Sequence, residues 1–189
     1  MSTHFLTLFM LLGYSFGFSQ EIISFNTTFS NSFKNWTFDF IEDSFDENTS
    51  IIDGQISLTW SIANQWDEYS VTLEGFRSGI KRNAIGTMLS FELTNDSNER
   101  VTANRIWPRD LSAWKVDYDG VSYEIRLLYP DDPEEWIIQT ENQTLCNILT
   151  EFRGDPRYWI LDYKSETLIP KEIQKLAVVI IIHITCPKF

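Results

Sequence analysis

Residues 170–184 read PKEIQKLAVVIIIHI, and whether this run is helix or strand determines how the rest of the chain must pack. Pro170 suits the first turn of a helix, where its missing N–H has no partner to lose, and Glu172 sets an acid at the positive end of the helix dipole. Ile173, Leu176, Ala177, Ile180, Ile181 and Ile184 fall on one helical face. Val178, Val179 and Ile182 are apolar as well, so from Leu176 to Ile184 no polar face remains and the segment needs burial on every side. It is too short to cross a bilayer, which takes roughly 20 apolar residues. The β-branched run Val178 to Ile182 would also suit a central strand. Periodicity favours the helix and leaves the strand open.

Working back from this segment to about Ile22, the dominant period is two, as in Trp36-Thr37-Phe38-Asp39-Phe40, Gln55 to Trp60 and Tyr69 to Glu74. Alternation of that kind marks half-buried strands. Turn-forming clusters separate them at Glu42 to Ser50, Asp53-Gly54, Ser78-Gly79, Asn95 to Asn98, Asp119-Gly120 and Gly154-Asp155-Pro156. Phe91 to Ile106, Trp114 to Leu128 and Trp136 to Phe152 each read as strand, polar turn and strand, too irregular for a solenoid or propeller. The expected fold is therefore mainly β: an antiparallel barrel or sandwich with a hydrophobic C-terminal helix packed in or against it.

The 189 residues are 43% hydrophobic and 15% aromatic, enough apolar material for one full core, which excludes disorder and fibrous repeats. The net charge of −12 argues against nucleic acid, whose phosphates need clustered Lys and Arg.

Phe5 to Phe18 (FLTLFMLLGYSFGF) has the length of a signal-peptide core, and Gly17 and Ser19 are small residues suited to cleavage before Gln20. Residues 1–19 are read as a secretory signal and 20–189 as one domain, secreted or extracytoplasmic. Met1 to His4 lacks the usual Lys or Arg, so an uncleaved anchor is the alternative. Cys146 and Cys186 are expected to pair after export, closing a loop worth roughly 4 kcal/mol, with two buried thiols as the alternative. Five Asn-X-Ser/Thr sequons stand at Asn26, Asn35, Asn48, Asn95 and Asn142.

Catalytic parts are sparse. The histidines are His4 and His183, one in the signal and one in the apolar run, so neither a zinc site nor a Ser-His-Asp device can be assembled, and no metal or cofactor is expected. Two carboxylates can hydrolyse a glycosidic bond unaided, but Asp39 to Glu47 and the acids Asp131, Asp132, Glu134 and Glu135 around Pro133 read first as loop charge. Arg153-Gly154-Asp155 reads as a turn, its arginine and Arg157 available to nearby acids. Among the 7 tryptophans, Trp36, Trp60, Trp136 and Trp159 sit in alternating strands and belong to the core. Trp66 and Trp107 lie in polar, turn-like settings and are the candidate ligand contacts, offering flat apolar area to a sugar ring.

Tyr158-Trp159-Ile160-Leu161-Asp162, then Leu168-Ile169-Pro170, then Glu172-Ile173 to Ile184 are similar to the strand, Pro-containing entry and apolar segment that end the phospholipid scramblase and LURP-one-related domains. Over Trp36 to Ile184 the order of parts resembles the tubby-like superfamily. That resemblance implies a barrel closed around a central C-terminal helix. It also implies phosphoinositide binding through a basic pocket, for which Lys81 and Arg82 are the candidates, though they read as solvated turn residues. The export signal and the lack of an acylated cysteine cluster depart from the family, so lipid scrambling is not carried over.

The leading expectation is an exported, non-catalytic β-domain with a ligand-binding, interaction or structural role, meeting a glycan, lipid or surface protein. The alternatives are a tubby-like lipid-associated module and a carboxylate-dependent glycoside hydrolase.

Overall fold

The computed structural model describes residues 21–29, 32–41, 51–59, 61–62, 65–73, 76–164 and 168–187. Fourteen strands precede one helix among them: β1 (Glu21–Phe29), β2 (Ser32–Ile41), β3 (Ile51–Leu58), β4 (Ser61–Ile62), β5 (Gln65–Trp66), β6 (Glu68–Leu73), β7 (Phe76–Ile85), β8 (Met88–Thr94), β9 (Arg100–Arg105), β10 (Ala113–Tyr118), β11 (Val121–Tyr129), β12 (Asp132–Gln139), β13 (Thr144–Thr150), β14 (Tyr158–Tyr163) and α1 (Lys171–Thr185). Twelve strands form one closed antiparallel barrel in the order β1-β14-β13-β12-β11-β10-β9-β8-β7-β6-β3-β2, while β4 and β5 make a separate small ladder. Closure comes from β1 pairing both β2 and β14, with Phe25 opposite Phe38 on one side and Trp159 on the other. Closure leaves the barrel itself, among the described residues, without a free strand edge to template association.

The barrel encloses α1. Every residue of the helix from Ile173 to His183 is buried, which resolves the helix-or-strand choice in favour of the helix and explains a sequence without a polar face. At 1.5 Å per residue its 15 residues span roughly 22 Å. Strand alternation supplies the lining: Phe25, Phe38, Val71, Phe91, Val116, Ile125 and Ile148 point inward at 0% exposure.

Two polar anchors fix the helix along its axis. At its entry Gln174, 1% exposed, accepts at Oε1 from the Ile22 N–H (3.0 Å) and the Tyr163 hydroxyl (3.2 Å), and donates through Nε2 to the Ile169 carbonyl (2.7 Å). At its exit His183 Nδ1 lies 2.8 Å from the Tyr69 hydroxyl, with Phe91 edge-on against the imidazole ring. Burial raises the Tyr69 phenol far above its ordinary value, with the charge at Cys186 adding to the effect. Lys175 is also inside, its ammonium donating to the Ser78 hydroxyl at 3.0 Å.

Four tryptophans share one local device. Trp36, Trp114, Trp136 and Trp159 are buried, and each indole N–H donates to the carbonyl three residues earlier, on Phe33, Leu111, Pro133 and Pro156, at 2.8–3.0 Å. Each stands on a strand running from the helix-exit end of the barrel toward the entry end, and the acceptor lies at the start of the strand for Phe33 and Pro133 and just before it for Leu111 and Pro156. Tyr69 and Phe91 hold inward positions on the equivalent strands β6 and β8. From Tyr69 through Phe91, Trp114, Trp136 and Trp159 the aromatic therefore recurs at intervals of 22 or 23 residues, one per hairpin.

The three hairpins expected around Asn95–Asn98, Asp119-Gly120 and Glu141–Thr144 are present as β8–β9, β10–β11 and β12–β13. Asp119 and Gly120, at φ 47° and 75°, make the paired left-handed turn that favours this dipeptide. Two other expected turns are strand interior instead. Asp53-Gly54 lies within β3 and Ser78-Gly79 within β7, because long strands accept a glycine or serine where the facing surface needs no bulk. The cluster Glu42–Ser50 and Trp60 lie outside the described residues.

Candidate binding surface

The helix fills the barrel, so the clefts among the described residues open on its outside. One of 160 Å³ lies at the helix entry between Leu73, Arg77, Asp96, Lys171 and Lys175, and another of 280 Å³ lies on the outer wall over Gly79 between Arg77, Lys81, Glu68 and Glu92. A third of 110 Å³ is walled by Asp132, Glu134, Glu135 and Arg153.

The sequence candidates distribute unevenly over this surface. Lys81 and Arg82 are strand residues of β7, not turn residues, because β7 runs unbroken from Phe76 to Ile85. Lys81 pairs with Glu68 at 3.3 Å and Arg82 with Asp67 at 2.5 Å. Alternation sends their side chains to different sides of the strand, and each sits against an acid. Trp107 stands on the β9–β10 connection, 64% exposed. Trp66 lies in β5, paired with Ser61 across the small ladder between β3 and β6. Its neighbour Asp67 accepts the Arg82 N–H at 2.7 Å, which puts the ladder at the helix-exit end, the end that also carries Trp107.

Cys146 and Cys186 are buried and are not bonded to each other, contrary to the expected disulfide. The reason is position along the helix. Cys146 on β13 is opposite Tyr163, whose hydroxyl reaches Gln174 at the helix entry. Cys186 caps the helix exit, with its sulfur 3.9 Å from the Pro156 carbonyl. Twelve residues of helix between Gln174 and Cys186 hold these neighbourhoods roughly 18 Å apart, against less than about 7 Å between the Cα atoms of a disulfide.

The charged runs are absorbed by local pairing. Arg153 reaches Asp132 and Glu134 at 3.8 Å each, and the Gly154 N–H donates to Glu134, so the Arg-Gly-Asp turn and the acids around Pro133 form one cluster. Asp155 receives the Arg157 guanidinium at 2.6–2.7 Å, and these hydrogen bonds hold its carboxyl below the ordinary aspartate value. Among the described residues no group of three or more His, Cys, Asp or Glu is placed to hold a metal ion.

What the sequence did not reveal is how the apolar turn residues are shared between the two ends. Every fully described turn at the helix-exit end carries an exposed large apolar side chain: Ile85 and Met88 at β7–β8, Trp107 at β9–β10, Tyr129 at β11–β12 and Phe152 at β13–β14, each more than half exposed. Phe29, at the end of β1 on the same rim, is exposed to the same degree. At the entry end the turn residues Asn95–Glu99, Asp119-Gly120 and Thr140–Gln143 contain four acids and no base. Phe76, Val121 and Leu168 are the exposed large apolar residues near that end. The signal for the rim lay in the turn composition, Ile-Gly-Thr-Met and Ile-Trp-Pro against Asn-Asp-Ser-Asn and Asp-Gly, but only closure of the barrel shows that these turns alternate between two ends.

Comparison with protein-family models, with curated proteins and with solved structures gives no match to this chain.

Proposed function

We propose that the chain is an exported, non-catalytic domain that engages its partner through the apolar rim at the helix-exit end, with Trp107 the central contact. The observation that carries the reading is the ring of exposed Phe29, Ile85, Met88, Trp107, Tyr129 and Phe152 around one mouth of a barrel whose lumen is filled. Large apolar side chains gathered at one end of a protein mark a surface of interaction, since leaving them in water forgoes roughly 1.5–3 kcal/mol for each one buried. Export rests on the apolar segment Phe5 to Phe18 and the small residues before Gln20. Membership of the tubby-like superfamily is part of the same reading, supported by twelve antiparallel strands around a C-terminal helix.

The test is intact mass of the native protein in cell and medium fractions, combined with surface retention on washed cells. The expected result is a chain beginning near Gln20 outside the membrane, retained by the cells and released by Trp107→Ser with Phe152→Ser. A full-length intracellular chain contradicts export, and a variant retained as well as wild type contradicts the rim.

A further inference from the structure

We infer that the apolar rim docks on an uncharged, zwitterionic lipid surface, inserting its turn tips into the interface. This deepens the proposed function and rests on its claim that the rim is the contact surface.

Two observations favour lipid over a folded partner. The apolar residues project from five separate connections, one or two on each. A folded partner gains affinity from a close-packed, shape-complementary core, whereas separate apolar tips on polar turns suit a fluid phase that closes around each one. The chemical mixture is that of an interfacial anchor: Trp107 and Tyr129 are amphipathic rings of the kind that settle at headgroup level, and Phe29, Ile85, Met88 and Phe152 supply acyl-side contact.

Charge selects the kind of lipid. The rim connections 106–112, 130–131 and 151–157 carry Arg109, Arg153 and Arg157 against Asp110, Asp131, Glu151 and Asp155, close to balance. Arg157 and Asp155 neutralise each other directly, and Arg153 faces Asp132 and Glu134. The strand-to-strand turns described at the entry end, 95–99, 119–120 and 140–143, hold four acids and no base, with Lys164 and Lys171 on the connection into the helix, and the chain as a whole is at −12. Such a molecule is repelled by an anionic bilayer and turns its least acidic end toward a neutral one. The sequons Asn95 and Asn142 both lie in turns at the acidic end, away from the docking face.

Geometry adds a dependence on processing. Ile22 is tied to Gln174 at the helix entry, so the chain enters the barrel at the acidic end. An uncleaved N-terminal segment would tether that end to the bilayer and turn the rim away from it.

The experiment is co-sedimentation of the mature protein with phosphatidylcholine vesicles, repeated with phosphatidylserine added and at raised salt, alongside light scattering of the protein alone. Ile85→Ser with Trp107→Ser is the rim variant, and Phe76→Ser with Leu168→Ser is the control at the other end. The inference expects wild type to pellet with phosphatidylcholine with little salt dependence, less with phosphatidylserine, with the rim variant at least about tenfold weaker and the control unchanged. Absence of pelleting with phosphatidylcholine overturns it. If wild type then forms a dimer that the rim variant disperses, the rim is a contact surface for a second copy, and the lipid inference alone has failed. Pelleting lost in the control variant and kept in the rim variant overturns the rim reading as well.

Discussion

The indole N–H of Trp159 donates to the carbonyl of Pro156 at 2.8 Å, and the ring stacks on Phe25 across the seam where β1 meets β14, with centroids 5.7 Å apart and planes inclined by 5°. One residue thus closes the barrel by packing and satisfies a polar atom that burial would otherwise penalise. Trp159→Phe keeps much of the packing and removes the donor, with an expected cost of about 1 kcal/mol. Trp159→Ala also opens a cavity, with an expected cost of about 3–5 kcal/mol. Urea denaturation with an unchanged m-value separates the two effects.

The Gln174 amide takes part in three hydrogen bonds that tie the helix entry to β1, β14 and the approach to the helix. Gln174→Leu keeps the volume while leaving the Ile22 N–H and the Ile169 carbonyl without their partner, a loss of about 1–3 kcal/mol for each group that stays buried and unsatisfied. The expected outcome is a variant destabilised by several kcal/mol, with early hydrogen exchange at Ile22. A midpoint within about 0.5 kcal/mol of wild type would show that β1 and the helix entry do not depend on this side chain.

The two thiols answer to simple chemistry. Cys146 and Cys186 should resist alkylation in the folded protein and both react after unfolding without prior reduction, and a reducing agent should leave the unfolding midpoint where it was. A midpoint that falls on reduction would restore the disulfide and contradict the roughly 18 Å of helix between their neighbourhoods.

Alkaline pH tests the helix entry. Burial, followed by the charge of Glu172, pushes the Tyr118 phenol up to about 12. A group whose folded value is raised contributes stability that is fully present below its unfolded value of about 10 and is lost as pH rises through the folded value. Stability should therefore decline between pH 10 and about 12, and Tyr118→Phe should lessen that decline. Asp155 has the opposite sign. The Arg157 hydrogen bonds hold its carboxyl low, so its contribution is present above about pH 4 and disappears as pH falls through the depressed value, a loss that Arg157→Gln should abolish.

Much of this fold was legible in the chain. The unbroken apolar run from Leu176 to Ile182 demanded cover on all sides, and α1 inside a barrel provides it. Alternation located the strands, and Asp119-Gly120 and Asn95–Asn98 marked real turns because their conformations need those residues. Ser78-Gly79 carried the same composition without the turn, since Gly79 lies on the outward side of β7 where no bulk is needed and Ser78 faces inward to receive the Lys175 ammonium. The tryptophan device was present as Phe-Lys-Asn-Trp, Leu-Ser-Ala-Trp, Pro-Glu-Glu-Trp and Pro-Arg-Tyr-Trp, but the acceptor is a backbone carbonyl, which no residue type announces. Trp107 was read as lying in a polar, turn-like setting, and it stands on the β9–β10 connection with its side chain exposed. Its companions on the rim were not singled out, because Ile85, Met88, Tyr129 and Phe152 are separated in sequence and meet at one end only when the barrel closes. The cysteines misled for the same reason: loop length says nothing of which end of the helix each thiol occupies.

Oxidative footprinting of Met88 and Trp107, comparing the free protein with the protein bound to its cell surface or to phosphatidylcholine vesicles, is the sharpest test of docking through the rim. Rapid oxidation of both side chains is expected in the free state and protection on binding, with Phe76 at the opposite end equally reactive in both states. Protection of Phe76 with Met88 and Trp107 still reactive would contradict it.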